Sequence, residues 1–387
     1  MSLTHQKDLA QSYKIRAFTP ERHYNLNKKD YDHYTSSVLS SSKHVLGKYT
    51  EELESVIAKY TGRRYAIATI SGTSALDIAF RVIRILMGHS RSEPIRALST
   101  DYTFIATAEA ILRNEMLLSV NDIDDHGHIS LNQPNVNHEV LAPVQLFGDC
   151  LNFEEVESFA KNNSILYVVE DAAQSFGAIW KNRPSGSLGD ISILSFDNKK
   201  NLASFGQGGM ILTDSDIIAQ FAKRLRQHGG IHMNHYIGST NGVIPEIIAA
   251  HLLYRFHCHF QNDQKRRTEI ANIYSSQLRD LPIILPKTRE NVVHAWQKYV
   301  VLVENRTKLI ASAKENGIEL RPVYDYTISS LTELIEHSRV IKTSENLNAV
   351  YWSKRAVSIP INSELEDNEV EQVVDFLKGY YEDFRSS

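Results

Sequence analysis

The chain of 387 residues is 42% hydrophobic and 23% charged, as folded globular proteins are, and is long enough that we expect two packed units. Its 42 basic and 46 acidic side chains leave a net charge of −4, which argues against a nucleic-acid-binding protein. Cys150 and Cys258 are the only cysteines, so a disulfide framework and a thiolate zinc site are excluded. No run of about 18 apolar residues occurs. We therefore predict a cytoplasmic protein with neither a signal peptide nor a membrane span.

Apolar, β-branched runs alternate with helical patterns through the first two thirds of the chain. Strand-like runs begin at Tyr65, Ile95, Glu115, Glu139, Ile165, Asp190 and Gly209. Between them, apolar residues recur at three- and four-residue spacing in YTEELESVIAKYTG, TSALDIAFRVIRILM, TFIATAEAILRN, FEEVESFAKNN and DIIAQFAKRLRQH. This alternation is typical of βαβ units. It predicts an α/β fold with an open, mostly parallel sheet and helices on both faces.

The pattern changes after Pro245. One long helical stretch runs over residues 245–278, a helix is predicted over 306–316, and the pattern NEVEQVVDFLKGYY predicts a closing helix. We therefore predict a large α/β domain with an N-terminal arm over residues 1–245. A bridging helix and a smaller α+β domain are expected over residues 246–387.

Polar and charged residues follow three of the predicted strands, where an open α/β sheet binds its ligands. GTSAL, from Gly72, offers free backbone N–H groups at a helix start. Glu170, Asp171 and Gln174 follow the strand ILYVV, and Ser195, Lys199 and Lys200 follow DISIL. Taken singly, these are an ordinary helix cap, a solvated acidic pair and solvated lysines.

Together they supply what pyridoxal phosphate requires: an anion site for its phosphate, a carboxylate for its ring nitrogen and an amine for its aldehyde. Asp171 is our candidate for keeping the ring nitrogen protonated. The amine would hold the cofactor and then move a proton. Neighbours in an extended loop point to opposite sides, so only one of Lys199 and Lys200 should face the cofactor.

Several blocks of the chain resemble, in order, the DegT/DnrJ/EryC1/StrS aminotransferases. They are ISGTSAL, TFIATAEAI, VVEDAAQSFGA, GSLGDISILSF, KKNLASFGQGGMILTD, GSTNG and HAWQKYVV, and the resemblance spans about residues 40–379. It implies a fold-type I enzyme with pyridoxal 5′-phosphate as cofactor and pyridoxamine phosphate as its aminated intermediate. It also implies transfer of an amino group, with L-glutamate as donor, to a keto group of a nucleotide-linked deoxysugar, and a homodimer with shared active sites.

The resemblance also assigns site residues. It implies that Gly72, Thr73, Ser74 and Ser195 bind the phosphate, that Phe104 stacks on the ring and that Gln174 lies near the phenolic oxygen. It pairs Asp171 with the ring nitrogen and makes Lys200, rather than Lys199, the anchoring lysine. Asn241 matches a residue that reaches the phosphate in the neighbouring subunit.

Three positions depart from the family pattern. Gln207 replaces an acid in the GQGG turn, Val243 stands where an arginine is common, and Gln297 stands where a histidine is frequent. The loss of the arginine implies that an anion contact to a substrate is missing or is supplied by another residue. These departures concern substrate identity rather than the cofactor.

The sequence also allows three other interpretations: a metal site, a sugar dehydratase and a regulatory protein. His228, His232 and His235 could bind a metal, but the adjacent glycines disfavour a helix there, so we predict no metal site. His257 and His259 are expected to be packed or partly exposed. Related sugar dehydratases carry histidine in place of the anchoring lysine, which Lys200 argues against. A regulatory protein that has lost turnover is the remaining alternative, and the intact Asp171, Gln174, Ser195 and Lys200 disfavour it.

Overall fold

The computed structural model describes residues 13–88, 93–132, 137–229, 239–336 and 340–386. Its centre is an eight-stranded sheet in the order β1-β9-β8-β5-β4-β2-β3-β13. The strands are β1 (Tyr65–Thr69), β2 (Arg96–Thr100), β3 (Leu117–Asn121), β4 (Val140–Leu141), β5 (Tyr167–Asp171), β8 (Ile191–Ser195), β9 (Gly209–Thr213) and β13 (Val340–Lys342). β9 is antiparallel to β1 and β8, and the other neighbouring strands of the described sheet are parallel. The predicted mostly parallel α/β sheet is confirmed.

Helices cover both faces of this sheet. They are α1 (Pro20–Leu26), α2 (Lys28–Leu39), α3 (Lys48–Thr61), α4 (Gly72–Met87), α5 (Ala106–Arg113), α6 (Phe153–Asn162) and α7 (Asp216–Arg226). Alternate residues of one strand enter different cores: Ile211 packs with α4, α5 and α7, whereas Met210 and Leu212 pack with α3. The period of two along β9 therefore places apolar side chains on both faces of the sheet.

The strand predicted from Glu139 through Phe147 is much shorter than expected. Only Val140 and Leu141 form β4. Pro143 has no N–H to donate to a neighbouring strand, and Phe147 adopts a positive φ of 62°. Beyond β4 the carbonyl of Pro143 still accepts a hydrogen bond from the Asp171 N–H at 2.9 Å, which helps to hold the end of β5.

The later part of the chain forms a second, smaller sheet. Its order is β11 (Tyr299–Leu302), β14 (Ala356–Ile359), β12 (Arg321–Pro322), with antiparallel pairing. Further elements are β6 (Ile179–Trp180), β7 (Arg183–Pro184), β10 (Val292–Val293), α8 (Glu246–Cys258), α9 (Phe260–Gln277), α10 (Arg306–Glu315), the 3₁₀ turn Ile328–Ser330, α11 (Thr332–Glu336), α12 (Leu347–Arg355) and α13 (Asp367–Ser386).

The single bridging helix predicted over residues 245–278 is wrong, because α8 and α9 are separated at His259. His259 leaves helical geometry, with φ −126° and ψ −31°, and its ring makes edge contacts with His23 and Tyr254. Ile270 and Tyr274 of α9 pack in an apolar cluster with β11 and β14. The chain later returns to the large sheet, where β13 pairs with β3. The domain boundary at 245/246 remains a prediction.

A helix that crosses a lipid bilayer must be long and predominantly apolar. None of the described helices is both long enough and apolar enough to cross a membrane.

Candidate active site

Predicted site residues follow or end three parallel strands and lie at one edge of the sheet. Strand β1 leads into α4, β5 ends at Asp171 and β8 ends at Ser195. Asp171 is paired with Ile193 of β8. A Cβ atom on Gly72 would lie only 2.8 Å from the Ser195 Cβ, so the start of α4 touches the end of β8. The three segments therefore meet.

The start of α4 forms a cradle for an anion. The Ser71 hydroxyl caps the helix by accepting a hydrogen bond from the Ser74 N–H at 3.0 Å. The Ser74 Oγ atom is buried and has no hydrogen-bond partner among the described residues. Free N–H groups and the positive end of the helix dipole favour an anion there. An unpartnered buried hydroxyl beside them fits the phosphate of a cofactor.

Asp171 is buried, with 5% of its surface exposed. The Thr107 hydroxyl donates to Oδ2 at 2.6 Å, and the Ala173 N–H donates to Oδ1 at 3.0 Å. Burial raises the pKa of Asp171, against these hydrogen bonds and the charge of Lys200. Our sequence reasoning missed Thr107, although it lies within the block TFIATAEAI.

The neighbouring acid, Glu170, points elsewhere and has a structural role. Its carboxylate accepts hydrogen bonds at 2.9 Å from the backbone N–H groups of both Gly186 and Leu188, and another from Gln145. Side chains alternate along β5, so the two adjacent acids separate onto different faces. Asp171 is thus the carboxylate that this strand presents to the site.

The two adjacent lysines differ in their exposure to solvent. Lys199 is exposed, whereas Lys200 is partly buried. Burial lowers the pKa of Lys200, while the charges of Asp171 and Asp197 act in the opposite direction. The loop is a turn rather than the extended segment we expected, since the Lys200 N–H donates to the Asp197 carbonyl at 2.9 Å. Lys200 is the less exposed of the two lysines, and its placement towards the cofactor stays a prediction.

Gln174 connects this edge to the later part of the chain. It is 4% exposed and donates from Nε2 to the Tyr324 hydroxyl at 2.8 Å. Phe104 is 51% exposed, and its ring centroid lies 6.1 Å from that of Tyr324. Tyr324 therefore lies next to both Gln174 and the exposed ring of Phe104. Tyr324 was not singled out from the sequence, although it lies in the noted segment ELRPVYDYTISS.

Asn241 lies at the surface of the chain. It is exposed, and its backbone forms an isolated bridge with Gln227. The next residue is closely packed, because a Cβ on Gly242 would lie 2.9 Å from the Ser74 Oγ atom. The segment carrying Asn241 therefore runs directly past the start of α4.

The three residues that depart from the family pattern are Gln207, Val243 and Gln297, and the structure gives the contacts or burial of each. Gln207 donates to Asp197 Oδ2 at 2.9 Å, so a carboxylate is still present at the GQGG turn. Gln297 donates to the Lys199 carbonyl at 2.8 Å. Val243 is 9% exposed. Lys298, which our sequence reasoning did not single out, donates to Gln297 Oε1 at 2.7 Å.

Metal ligands were also sought among the described residues. His228 donates its N–H to the Thr240 carbonyl at 3.1 Å, whereas His232 and His235 lie outside the described residues. Within the described part of the chain, the cluster with suitably placed ligand atoms consists of His23, Asp263 and Glu364. Arg255 lies within it, 3.0 Å from Asp263 and 3.5 Å from Glu364, so a cation already occupies that position.

Comparison with protein families decides the identity of the chain. The model of the DegT/DnrJ/EryC1/StrS aminotransferase family matches residues 25–378. The chain belongs to this family. Among solved structures, that of S. venezuelae DesV in complex with a ketimine intermediate superposes on this DegT/DnrJ/EryC1/StrS protein with a TM-score of 0.88. The two are 25% identical, over 95% of this chain and 98% of that one.

Two curated relatives illustrate the range of the family. The chain is 29% identical to the dTDP-3-amino-3,6-dideoxy-alpha-D-galactopyranose transaminase of Aneurinibacillus thermoaerophilus, over 91% of this chain and 96% of that protein. It is 28% identical to the pleiotropic regulatory protein of Geobacillus stearothermophilus, over 90% of this chain and 93% of that protein.

Family membership identifies pyridoxal phosphate as the cofactor, as the sequence predicted. The residues present fit this group. The start of α4 offers unpartnered N–H groups and the buried Ser74 hydroxyl to a phosphate. Asp171 supplies a buried carboxylate, and Lys200 an amine whose pKa is lowered. The individual roles of these residues remain predictions.

Proposed function

We propose that this protein is an aminotransferase that moves an amino group from L-glutamate to a keto group of a nucleotide-linked deoxysugar. The observation that carries the proposal is the buried Asp171 and the partly buried Lys200 beside the anion cradle of α4, at one sheet edge. A relative with 29% identity over 91% of the chain is named as a dTDP-sugar transaminase, which supports a nucleotide-linked sugar as substrate.

In this proposal each side chain has one task in binding pyridoxal phosphate. Gly72, Thr73, Ser74 and Ser195 bind the phosphate. Phe104 lies against the ring face, Gln174 donates to the phenolic oxygen, and Asp171 pairs with the ring nitrogen. Gly72 permits the contact between α4 and β8. Thr107 orients Asp171 by donating to Oδ2.

Pyridoxal phosphate, when bound, supplies an aldehyde for the donor nitrogen and a ring that withdraws electrons from the carbon that loses its proton. Lys200 holds the cofactor at rest. Once displaced, its amine takes the proton from the donor carbon and later delivers a proton to the sugar carbon. Burial lowers the pKa of Lys200, which favours the neutral amine that a base requires. Burial of Asp171 strengthens its interaction with a protonated ring nitrogen.

We further propose a homodimer in which Asn241 of each subunit reaches the phosphate bound by the other. Asn241 is exposed in the single chain, and its segment passes the start of α4. A residue that serves its own subunit would be expected to point inward. The cytoplasmic location also remains a prediction.

A regulatory function is the second candidate, since one relative is named as a regulatory protein. A protein without turnover has no need for a partly buried lysine opposite a buried carboxylate, because placing both in the interior costs free energy. A dehydratase with histidine in place of the anchoring lysine is disfavoured by Lys200.

The test is a transfer experiment with isotopically labelled L-glutamate and a panel of dTDP-, UDP- and GDP-linked keto-sugars. We expect labelled nitrogen in one aminosugar product, identified by mass spectrometry, and none with Lys200→Ala. A deoxysugar formed by loss of water would instead identify a dehydratase. Absence of any reaction across donors and sugars would refute the proposed function.

A further inference from the structure

Lys298, in the later part of the chain, lies close to the candidate site residue Gln174. Lys298 immediately precedes β11, and its Nζ atom donates to Gln297 Oε1 at 2.7 Å and to Gln174 Oε1 at 3.4 Å. Gln174 in turn bonds to Tyr324, and Gln297 bonds to the carbonyl of Lys199. The amine of Lys298 is therefore hydrogen-bonded to Gln174, which follows β5, and through Gln297 to the turn that carries Lys199 and Lys200.

This amine has no acidic hydrogen-bond partner among the described residues. Among the described residues, Lys298 forms no ion pair, and its hydrogen-bond partners are two neutral amides. Burial lowers the pKa of Lys298 well below its ordinary value, and the charges of Lys200 and Arg321 lower it further against the opposing charge of Asp197. Arg321 already bonds to Glu319. An anion beside Lys298 would relieve this repulsion and stabilise the charged amine.

A cavity lies beside Lys298. It has a volume of about 220 Å³, and it is also bordered by Phe147, His294 and Trp352. The Lys298 Nζ atom lies 5.9 Å from the centre of the Phe147 ring. Two acids also line this cavity. Burial raises the pKa of Asp149 to about 7, which weakens its negative charge near neutral pH, and Asp125 is paired with Lys287 at 3.2 Å.

We propose that Lys298 is a specificity-determining residue that binds a carboxylate group of a substrate. The inference rests on the proposed aminotransferase function, whose donor carries carboxylates. That carboxylate belongs either to the amino donor or to a sugar oxidised to the acid at its terminal carbon. Lys298 would thus supply a cationic contact to a substrate, which the chain does not supply through an arginine at position 243.

The first experiment measures binding without turnover. Glutarate, which has two carboxylates and no amine, is titrated calorimetrically into the cofactor-loaded protein and its Lys298→Gln and Lys298→Arg variants. Loss of a charge-assisted hydrogen bond should weaken binding by about 10- to 100-fold in Lys298→Gln, and Lys298→Arg should restore part of it. Lys199→Gln removes an exposed lysine from the adjoining turn and serves as the matched control, with unchanged affinity expected.

The second experiment separates a carboxylate contact from a merely structural role. The rate of the donor half reaction is compared for L-glutamate, its 1-amide and its 5-amide. If Lys298 binds a donor carboxylate, Lys298→Gln raises the KM for L-glutamate and removes the preference over one of the two amides. If it binds a sugar carboxylate, the variant instead loses the preference for an acidic keto-sugar over a 6-deoxy keto-sugar.

The outcomes are distinguishable from failure of the proposed function. If the wild-type protein transfers no amino group, the proposed function is wrong and Lys298 loses its assigned substrate. If the wild-type protein is active but Lys298→Gln binds glutarate equally well and keeps every charge preference, the inference alone is wrong. Equal weakening towards charged and neutral substrates would also overturn it, because that result indicates a structural role through Gln174.

Discussion

Asp171 and Lys200 lie close enough that the charge of each affects the protonation of the other. The buried carboxylate can keep the ring nitrogen of the cofactor protonated only while it carries its own negative charge. The hydrogen bonds from Thr107 and Ala173 favour that charged form against the cost of burial. Asp171 therefore depends on two partners that the sequence pattern did not identify as such.

Asp171→Asn should keep the fold and much of the cofactor binding, since an amide can occupy nearly the same space. Turnover should fall on the order of 100-fold or more, because the ring nitrogen loses its anionic partner. Steady-state kinetics per bound cofactor measure this. Glu170→Gln, one residue away, is the matched control and should lower the free energy of unfolding rather than turnover. Near-normal transamination by Asp171→Asn would remove the residue from its proposed role.

Lys200→Ala should abolish covalent attachment of the cofactor and the full reaction, because the exposed Lys199 cannot reach the same position. Lys199→Ala should retain both. Borohydride reduction of the loaded protein, followed by peptide mass mapping, locates the attached cofactor. A modified Lys199, or no modified lysine at all, would contradict the assignment and the mechanism built on it.

At the scale of elements, the site depends on how closely α4 approaches β8. Gly72 stands at the first position of α4, where an added Cβ would lie 2.8 Å from the Cβ and 3.4 Å from the Cα of Ser195. These atoms belong to a buried strand and cannot move aside as the end of a flexible side chain could. The glycine therefore sets the position of the anion cradle.

Gly72→Ala should push α4 away from β8, with a cost of about 1–3 kcal/mol in the free energy of unfolding. Affinity for pyridoxal phosphate should fall as well, because the phosphate-binding groups belong to both elements. Chemical denaturation and equilibrium dialysis measure the two effects. Gly88→Ala, at the other end of α4, is a control because no atom of the described residues lies within 4 Å of its Cβ, although its φ of 91° adds some local strain. Unchanged cofactor affinity in Gly72→Ala would show that the contact does not control the site.

At the scale of the whole molecule, each active site of the proposed dimer contains residues of both subunits. This leads to a mixing experiment with two defective variants, Lys200→Ala and Asn241→Ala. In a mixed dimer, the Asn241→Ala subunit keeps its own lysine and receives Asn241 from its partner. Random mixing of subunits should therefore restore about a quarter of wild-type activity. No gain over the separate variants would place Asn241 in its own subunit's site, or outside any site.

A buried charge network also joins the first helix to the later part of the chain, since Glu364 lies 2.9 Å from His23 of α1 and 3.5 Å from Arg255 of α8. Burial opposes the charge of Glu364, but the hydrogen bond from His23 and the charges of Arg255 and Arg267 outweigh it and lower its pKa to about 2. A lowered pKa contributes stability above the ordinary carboxyl range, and this contribution is lost as the pH falls towards about 2.

Glu364→Gln should therefore lower the free energy of unfolding at neutral pH by about 3 kcal/mol. The difference from wild type should shrink as the pH falls, since both proteins then carry a neutral side chain. Urea denaturation at a series of pH values measures it. A difference that stays constant with pH would mean that the charge of Glu364 does not stabilise the fold.

The sequence by itself determined the fold class, the family, the cofactor and the candidate pair Asp171 and Lys200. Hydrophobic periodicity and short blocks carry this information, because each reflects the local path of the chain and the residues at one strand end. The same reasoning failed for β4, where Pro143 interrupts the strand, and for the bridging helix, which is broken at His259.

Only the tertiary structure decided which distant side chains complete the site. Thr107 reaches Asp171 across 64 positions, Tyr324 reaches Gln174 across 150, and Lys298 reaches Gln174 across 124. These contacts depend on packing between elements, which no local pattern encodes. The difference in exposure between Lys199 and Lys200 likewise became visible only in the structure, because the sequence predicted an extended loop where the Lys200 N–H closes a turn on the Asp197 carbonyl.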